Sequence, residues 1–357
     1  MNPNRIQGFD VARALAVFGM VLVNYTLVMA EGDSGGAGWL RGLVELLQGK
    51  AAATFVVLAG VGIALLSKRA WATGDGEVLA RHRSSLLKRA ALLFVIGLLY
   101  TPLWPADILH FYGLYITVAA LVLGWSSRRL VGLAVAFGLG FVAMMLTLDY
   151  EAGWDWETLA YDDLWTPVGM VRHLFFNGFH PVFPWTAFLL VGMVVGRLDW
   201  RAASVRRAGL AWGVGCLAVA EVASRGLIAS TRGELGDEVA VALFGTAPMP
   251  PMPLYLLTGV GSALTVIALC VACTERWPGA PVLRPLVATG QLALTLYVAH
   301  VVIGMGILEA LGRLENQRFD FAVHCALVFC VAGVIFAWAW RRYFDRGPLE
   351  ALLRRWT

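Results

Sequence analysis

Apolar residues in this chain come in long runs broken by short polar segments, not in the one-sided stripes of a water-soluble helical bundle. About 20 such residues in a helix cross a hydrocarbon core of about 30 Å. Ten stretches approach that length: 11–30, 51–67, 86–104, 108–124, 130–148, 173–197, 208–224, 254–274, 286–308 and 321–340. The shortest break, Pro105–Asp107, predicts a tight hairpin between the third and fourth. Ala247-Pro-Met-Pro-Pro-Met-Pro253 predicts a stiff connector without helix, because proline lacks the amide donor and clashes with the preceding turn. The sixth stretch is too long and too broken for one straight helix. Pro181 and Pro184 cannot continue a helix from upstream, so the span proper is expected to start near Pro184, with a re-entrant or interfacial piece before it. Irregular backbone at that depth is tolerated only where protein or a watery cavity covers it.

Composition supports this reading. Hydrophobic residues make up 59% and charged residues 15%, with a mean hydropathy of +0.70. That leaves too little charge to cover a soluble globule, and it excludes disorder. Five cysteines fall inside apolar runs, an odd number and no disulfide framework. Cys270 and Cys273 form a CxxC without a second pair or a neighbouring histidine, which reads as helix packing; no metal is expected.

The charges set an orientation. With a cytoplasmic N-terminus, 21 of the 28 Lys and Arg fall on inner segments. The expectation is an all-α polytopic membrane protein of about ten transmembrane helices, both termini cytoplasmic, forming one transmembrane domain over 1–357. Asp10 beside the first run argues for a retained helix over a cleaved signal peptide. The inner segment Lys68–Arg89 carries six cations, suited to anionic lipid or to the phosphates of a cytosolic cofactor. The outer segment Asp149–Arg172 carries six acids with Trp154, Trp156 and Trp165, either an interfacial aromatic belt or a lid.

Ionisable groups inside a bilayer are costly and mark function or a structural pair. Asp10 and Arg13, at i and i+3, share a helix face and form either an ion pair or a contact to a headgroup or cofactor. Asn24 lies deeper on the same helix and suits an interhelical hydrogen bond. Asp107 and His110, also at i and i+3, suit a general base whose tautomer a carboxylate fixes, or simply the polar cap of the fourth helix. His180 and Trp185 are candidate cavity residues at the broken start of the sixth helix, or headgroup-level residues. Gln291, Thr295, Tyr297 and His300 are the polar positions of the ninth. Five of the six histidines, all but His82, map to the outer half, which suggests one hollow lined by His110, His180 and His300. Gly192-Met-Val-Val-Gly196 and Gly209-Leu-Ala-Trp-Gly213 have the spacing of close helix packing. No P-loop, HExxH or nucleophile elbow occurs.

Several of these residues form a recognisable pattern. Gly290-Gln-Leu-Ala-Leu-Thr-Leu-Tyr297, followed by Tyr343-Phe-Asp-Arg-Gly-Pro-Leu-Glu350, resembles the C-terminal signature of the YeiB-like family of bacterial membrane proteins. Phe9-Asp10-Val-Ala-Arg13, Val23-Asn24, Gly49-Lys50, Leu58-Ala-Gly-Val-Gly62 and Asp107-Ile-Leu109 fit the rest of that pattern. The N-terminal half, with Pro184-Trp185, Gly192 and Gly196-Arg197, is similar to the heparan-alpha-glucosaminide N-acetyltransferase group. The resemblance implies an acyltransferase-like part over about 1–200 and a YeiB-like part over about 201–357. Enzymes of that group pass an acetyl group from acetyl-CoA across the membrane to an amino sugar, using a histidine between helices 1 and 2. The segment 31–50 here holds Glu31, Asp33 and Glu45 but no histidine, so the base is assigned to His110.

The resulting expectation is an acyl-CoA-dependent acyltransferase of the bacterial cytoplasmic membrane, with acetyl-CoA as donor. Its acceptor is a hydroxyl or amine of a sugar, lipid or other small molecule. His110 would act as base with Asp107 behind it, and His300 or Tyr297 would stabilise the oxyanion. His180, Trp185, Gln291, Tyr297 and Asn24 would bind the acceptor; Asp10, Arg13, Lys50, Arg69, Arg81 and Arg83 would meet the CoA. Membrane lipids and a second copy of the chain are candidate partners; nucleic acid is not. The competing readings are a transporter of a small or lipidic solute, suited by the broken sixth helix, and a non-catalytic scaffold.

Overall fold

The computed structural model describes residues 5–32, 35–156 and 158–356, without the side chains of residues 69, 72 and 73. The helices are α1 (Gln7–Met29), α2 (Gly38–Leu47), α3 (Lys50–Thr73), α4 (Gly76–Tyr100), α5 (Leu109–Leu121), α6 (Ser127–Met145), α7 (Pro167–Arg172) and α8 (Val182–Val195). They continue with α9 (Ala203–Leu235), α10 (Asp237–Phe244), α11 (Pro253–Arg276), α12 (Leu283–Gln291), α13 (Ala293–Ala299), α14 (Gly306–Ala310), α15 (Phe319–Trp340) and α16 (Pro348–Trp356). Two π turns, His173–Asn177 and His300–Met305, follow α7 and α13. The only ladder among the described residues is the two-residue antiparallel pair β1 (Trp154–Asp155) and β2 (Ala160–Tyr161). The proline-rich connector before Pro253 carries no helix, as its composition requires.

The protein is a mostly helical, polytopic membrane protein. Among the described residues seven helical segments are long and apolar enough to cross a membrane: Gln7–Met29, Gly38–Lys68, Ser127–Met145, Ala203–Leu235, Pro253–Arg276, Ala293–Ala310 and Phe319–Trp340. An eighth arises if Pro167–Asn177 and Val182–Val195, bent by 46°, make one span. Sequence reading expects ten, and the remaining two are α4 and α5. Both helices form, but α4 carries Arg81, Arg83, Lys88 and Arg89 in its first half, and the 13 residues of α5 rise only about 20 Å.

The chain divides into two compact units, each assembled from separated stretches. The first comprises 1–55, 200–213 and 262–355. Within it α1 packs against α2, α12, α13 and α15. Gly290 is what lets α12 lie on α1, since a Cβ there would fall 1.8 Å from the Asp10 carbonyl. The C-terminal signature has a structural explanation here. The α12–α13 break at Leu292 leaves the first amides of α13 without helical partners. Glu350 supplies them, accepting Leu294 N–H at 2.8 Å, Thr295 N–H at 3.1 Å and the Thr295 hydroxyl at 2.5 Å. Thr295 Oγ1 in turn accepts Leu349 N–H at 3.1 Å, fastening α16 to α13.

The second unit comprises 56–199, 214–261 and 356–357. Here α4 and α5 form an antiparallel hairpin, α8 packs on α5 and α6, and α8 also meets α3. The Gly192-Met-Val-Val-Gly196 spacing does what it predicts: both glycines face α3, one against the Val57 carbonyl and the other against Val61 and Ala64. Gly97 of α4 faces the start of α5 so closely that a Cβ would lie 2.2 Å from the His110 amide.

Candidate active site

Asp107 ends the α4–α5 hairpin and caps α5. Its Oδ2 accepts the backbone N–H of Leu109 at 2.9 Å and of His110 at 3.3 Å. The same oxygen lies 3.0 Å from His110 Nδ1. A carboxylate can only accept, so Nδ1 carries the proton and Nε2 presents its lone pair. Both residues are 0% exposed. The cap of α5 and the orientation of the His110 ring are therefore two consequences of one carboxylate position.

The broken sixth span supplies the facing residues. Thr166 caps α7 through Gly169 N–H at 3.0 Å, with Pro167 at the first helical position. The backbone then widens into the π turn His173–Asn177 and breaks. Phe183 is non-helical, so regular α8 begins at Pro184, as the prolines predict. This path returns both His173 and His180 to Phe111. The His173 ring lies 5.6 Å from His110 and 5.1 Å from Phe111; the His180 ring lies 6.1 Å from Phe111 and 4.6 Å from Trp185. Tyr115 donates to the His180 carbonyl and holds the break against α5.

Five buried polar atoms in this cluster have no partner in the protein: His110 Nε2, His173 Nδ1, His180 Nδ1, Trp185 Nε1 and Thr186 Oγ1. An unsatisfied buried group costs about 1–3 kcal/mol. These atoms are therefore the ones in the cluster able to take up a water or substrate partner. The set offers a lone pair at His110 and N–H and O–H donors at Trp185 and Thr186.

The segment 149–172 braces the π turn. Asn177, fully buried, donates to the Tyr150 and Ala152 carbonyls at 2.8 and 2.9 Å and accepts the Tyr161 hydroxyl at 2.7 Å. Trp154 Nε1 donates to the Asn177 carbonyl at 2.7 Å. Arg172 bridges Tyr161 and Asp163 at 2.8 and 2.6 Å. Burial raises the Tyr161 phenol above its ordinary value against the opposing pull of Arg172, so it stays a donor. Sequence reading assigns this segment to a belt or a lid; in the structure it buttresses the site. His173, Asn177 and Tyr161 were missed. The available signal was His173 itself, an ionisable residue in an apolar stretch.

The remaining expected residues lie elsewhere. His110 and His180 both approach Phe111 in the second unit, and His300 belongs to the first. Its Nδ1 bonds the Tyr297 carbonyl and its Nε2 accepts from Asn24 at 3.0 Å, leaving no ring nitrogen for an oxyanion. Asn24 and His300 thus form the interhelical bond, and Tyr25 adds a second one from its hydroxyl to the His300 carbonyl at 3.2 Å. Tyr297 is buried with its ring 5.2 Å from His300. Gln291 is half-buried at the end of α12. Asp10 is held by Arg5 at 2.6 and 2.7 Å and by Arg13 at 3.0 Å, and Arg13 also reaches the Gly290 carbonyl at 3.4 Å. That is the structural ion pair. Lys50 opens α3, half-buried. Arg81 and Arg83 are exposed on α4, and Arg83 Nε caps α5 through the Ala120 carbonyl at 3.0 Å. The Arg69 side chain lies outside the described residues. Among the described residues no group of His, Cys, Asp and Glu is placed to hold a metal ion.

Two family models match the chain, while no curated protein does. One, described as protein of unknown function (DUF418), covers residues 244–357, the region of the YeiB-like signature and the Glu350 clamp. The other, described as heparan-alpha-glucosaminide N-acetyltransferase, catalytic, covers residues 5–226 and so includes Asp107, His110, His173, His180 and Trp185. That match spans well over half of the sequence, and the chain belongs to the heparan-alpha-glucosaminide N-acetyltransferase catalytic family.

Proposed function

We propose that the protein is a membrane-embedded acyltransferase that moves an acyl group, acetyl by preference, from acyl-CoA to a hydroxyl or amine of a sugar, lipid or other small acceptor. The observation that carries this reading is His110: Nδ1 fixed by Asp107, Nε2 buried and without a protein partner, and two more histidines beside it. Nε2 takes the proton of the acceptor O–H or N–H as that atom attacks the thioester carbonyl. The tetrahedral oxyanion is met by donors of the Trp185 and Thr186 kind. The C–S bond then breaks, and the imidazolium returns its proton to the CoA thiolate. His180 and Trp185 face the acceptor. Exposed Arg81 and Arg83 meet the CoA phosphates, with Arg69 in the same segment. No metal takes part.

In this reading α4 and α5 complete ten membrane-associated helices. Both termini are cytoplasmic, and the protein resides in the bacterial cytoplasmic membrane among lipids, alone or as a homodimer. The test uses purified full-length protein and labelled acetyl-CoA. Wild type is expected to bind the CoA ester and to release free CoA when an acceptor from a panel of amino sugars, sugars and hydroxylated lipids is added. His110→Ala is expected to keep binding and lose release by at least 10²-fold. Undiminished release in His110→Ala rejects the base assignment. Absence of acyl-CoA binding in the wild type rejects the acyltransferase, and counterflow of a labelled solute in liposomes would then favour transport.

A further inference from the structure

We infer that the first unit carries a binding groove for an anionic phospholipid, with its acyl tail between the π-bulged helix and α15 and its phosphate against Arg342 and Arg346. The groove is open along one side, has a volume of about 760 Å³, and its lining is almost wholly apolar. Val302, Ile303 and Ile307 form one wall; Val328, Ala332 and Phe336 form the other. The π turn at His300–Met305 shapes it. Gly304 lines the groove at the widened turn and sits so close to the Tyr25 hydroxyl that any side chain there would fill the space. From Phe321 to Phe336 the α15 wall runs about 22 Å at 1.5 Å per residue. That exceeds the roughly 15 Å of hydrocarbon in one leaflet, so a whole acyl chain fits along it.

The two ends differ, and this selects the lipid. At the α15 N-terminal end the polar side chain in the lining is His324, turned back onto the Asp320 carbonyl at 2.5 Å. At the other end the groove reaches Pro348 and Leu349, next to a segment with three cations, Arg341, Arg342 and Arg346, against Asp345 and against Glu350, whose carboxylate is taken up by the α13 amides and the Thr295 hydroxyl. Arg342 stacks on Trp338 at 3.6 Å, which fixes its position while it stays exposed. Arg346 is exposed, and Trp340 Nε1 donates to its carbonyl at 2.8 Å. Trp338, Trp340 and Tyr343 follow one another at this end of α15, the composition of a headgroup-level belt. A chain seated in the groove therefore delivers its headgroup to cations, and an anionic headgroup gains attraction that a zwitterionic one does not.

The test is native mass spectrometry of the full chain in detergent, with phosphatidylglycerol or phosphatidylcholine of identical acyl chains. Expected are one retained phosphatidylglycerol and at least fivefold weaker retention of phosphatidylcholine. Arg342→Gln with Arg346→Gln is expected to abolish that preference. Ala332→Trp, which fills the groove from an exposed position, is expected to remove the bound lipid while elution volume and melting temperature stay at wild-type values. Equal retention of both lipids, or a lipid still held by Ala332→Trp, overturns the inference. So does a mass of two chains without lipid, which would make the groove an interface between copies.

Discussion

If Asp107 and His110 act as one unit, their substitutions will not multiply. Asp107→Asn is the informative change, because asparagine caps a helix about as well as aspartate. Its carbonyl oxygen can still accept Leu109 N–H at the present 2.9 Å, so α5 keeps its start and the fold should melt within about 1 kcal/mol of wild type. What disappears is the negative charge behind His110 Nδ1. A hydrogen bond to a charged acceptor contributes about 1.5–3 kcal/mol and a neutral one about 1. The orienting force therefore falls by about 0.5–2 kcal/mol, or about 2- to 30-fold in rate at 1.36 kcal/mol per tenfold. His110→Ala removes the base itself, a loss of about 10²–10⁴-fold. In the double variant Asp107 has nothing left to orient, so its rate should match His110→Ala within about threefold, where independent action predicts the product of the two losses. The assay is CoA thiol release under saturating acetyl-CoA, with melting temperature measured on the same preparations. A double variant slower by the full product, or Asp107→Asn indistinguishable from wild type, refutes the coupling.

The other outcomes follow from single contacts. Glu350→Ala strips three hydrogen bonds from the start of α13 and is expected to destabilise by about 2–4 kcal/mol, read as a lowered melting temperature in detergent. Asn24→Leu leaves His300 Nε2 without its partner and should cost about 1–3 kcal/mol of stability with acyl transfer within a fewfold of wild type; a hundredfold loss of transfer would return His300 to the chemistry. Gly97→Val sets a side chain where a Cβ already lies 2.2 Å from the His110 amide, so α5 must move. Transfer should fall at least tenfold in protein that still elutes as wild type, since a 1 Å displacement of a reacting group is that costly.

The sequence displayed spans and local pairs and hid what the tertiary path creates. Apolar run length is a one-dimensional property, so each expected stretch contains helix, interrupted in the sixth by the break at 178–181; the count differs at α4, which carries charge, at α5, which is short, and at the bent pair α7 and α8, which adds a span only if taken as one. Asp107 and His110 were legible because three residues along a helix start already bring two side chains together. His173 and His180 are different. Their common approach to Phe111 depends on a π turn and a break that no periodicity encodes. The grouping of His300 with His110 rested on depth alone; in the structure the His300 ring nitrogens are engaged by Tyr297 and Asn24. Glu350 was recognisable as part of a signature, but its work lies 55 residues away, on amides exposed only because α12 stops at Leu292.

The two π turns sharpen the functional assignment. Each begins with a buried histidine, His173 in one and His300 in the other. Each departure from regular helix releases backbone groups that must be satisfied inside protein; the first is braced from afar, by Tyr161 and Trp154 on Asn177, while the Glu350 clamp holds the start of α13 upstream of the second. Widened turns of this kind often accompany function, yet the two sites differ in their bookkeeping of hydrogen bonds. His300 has both nitrogens engaged, so its turn is explained by the helix contacts it makes. His173 keeps Nδ1 buried without a partner, beside the open Nε2 of His110. A locally irregular helix with unmet donors and acceptors is the kind of violation of local consistency expected where a substrate completes the structure. By that criterion the candidate site lies in the second unit, and on the proposed reading removing Asn177, as in Asn177→Leu, should impair acyl transfer through misplacement of His173 more than any change at Tyr297.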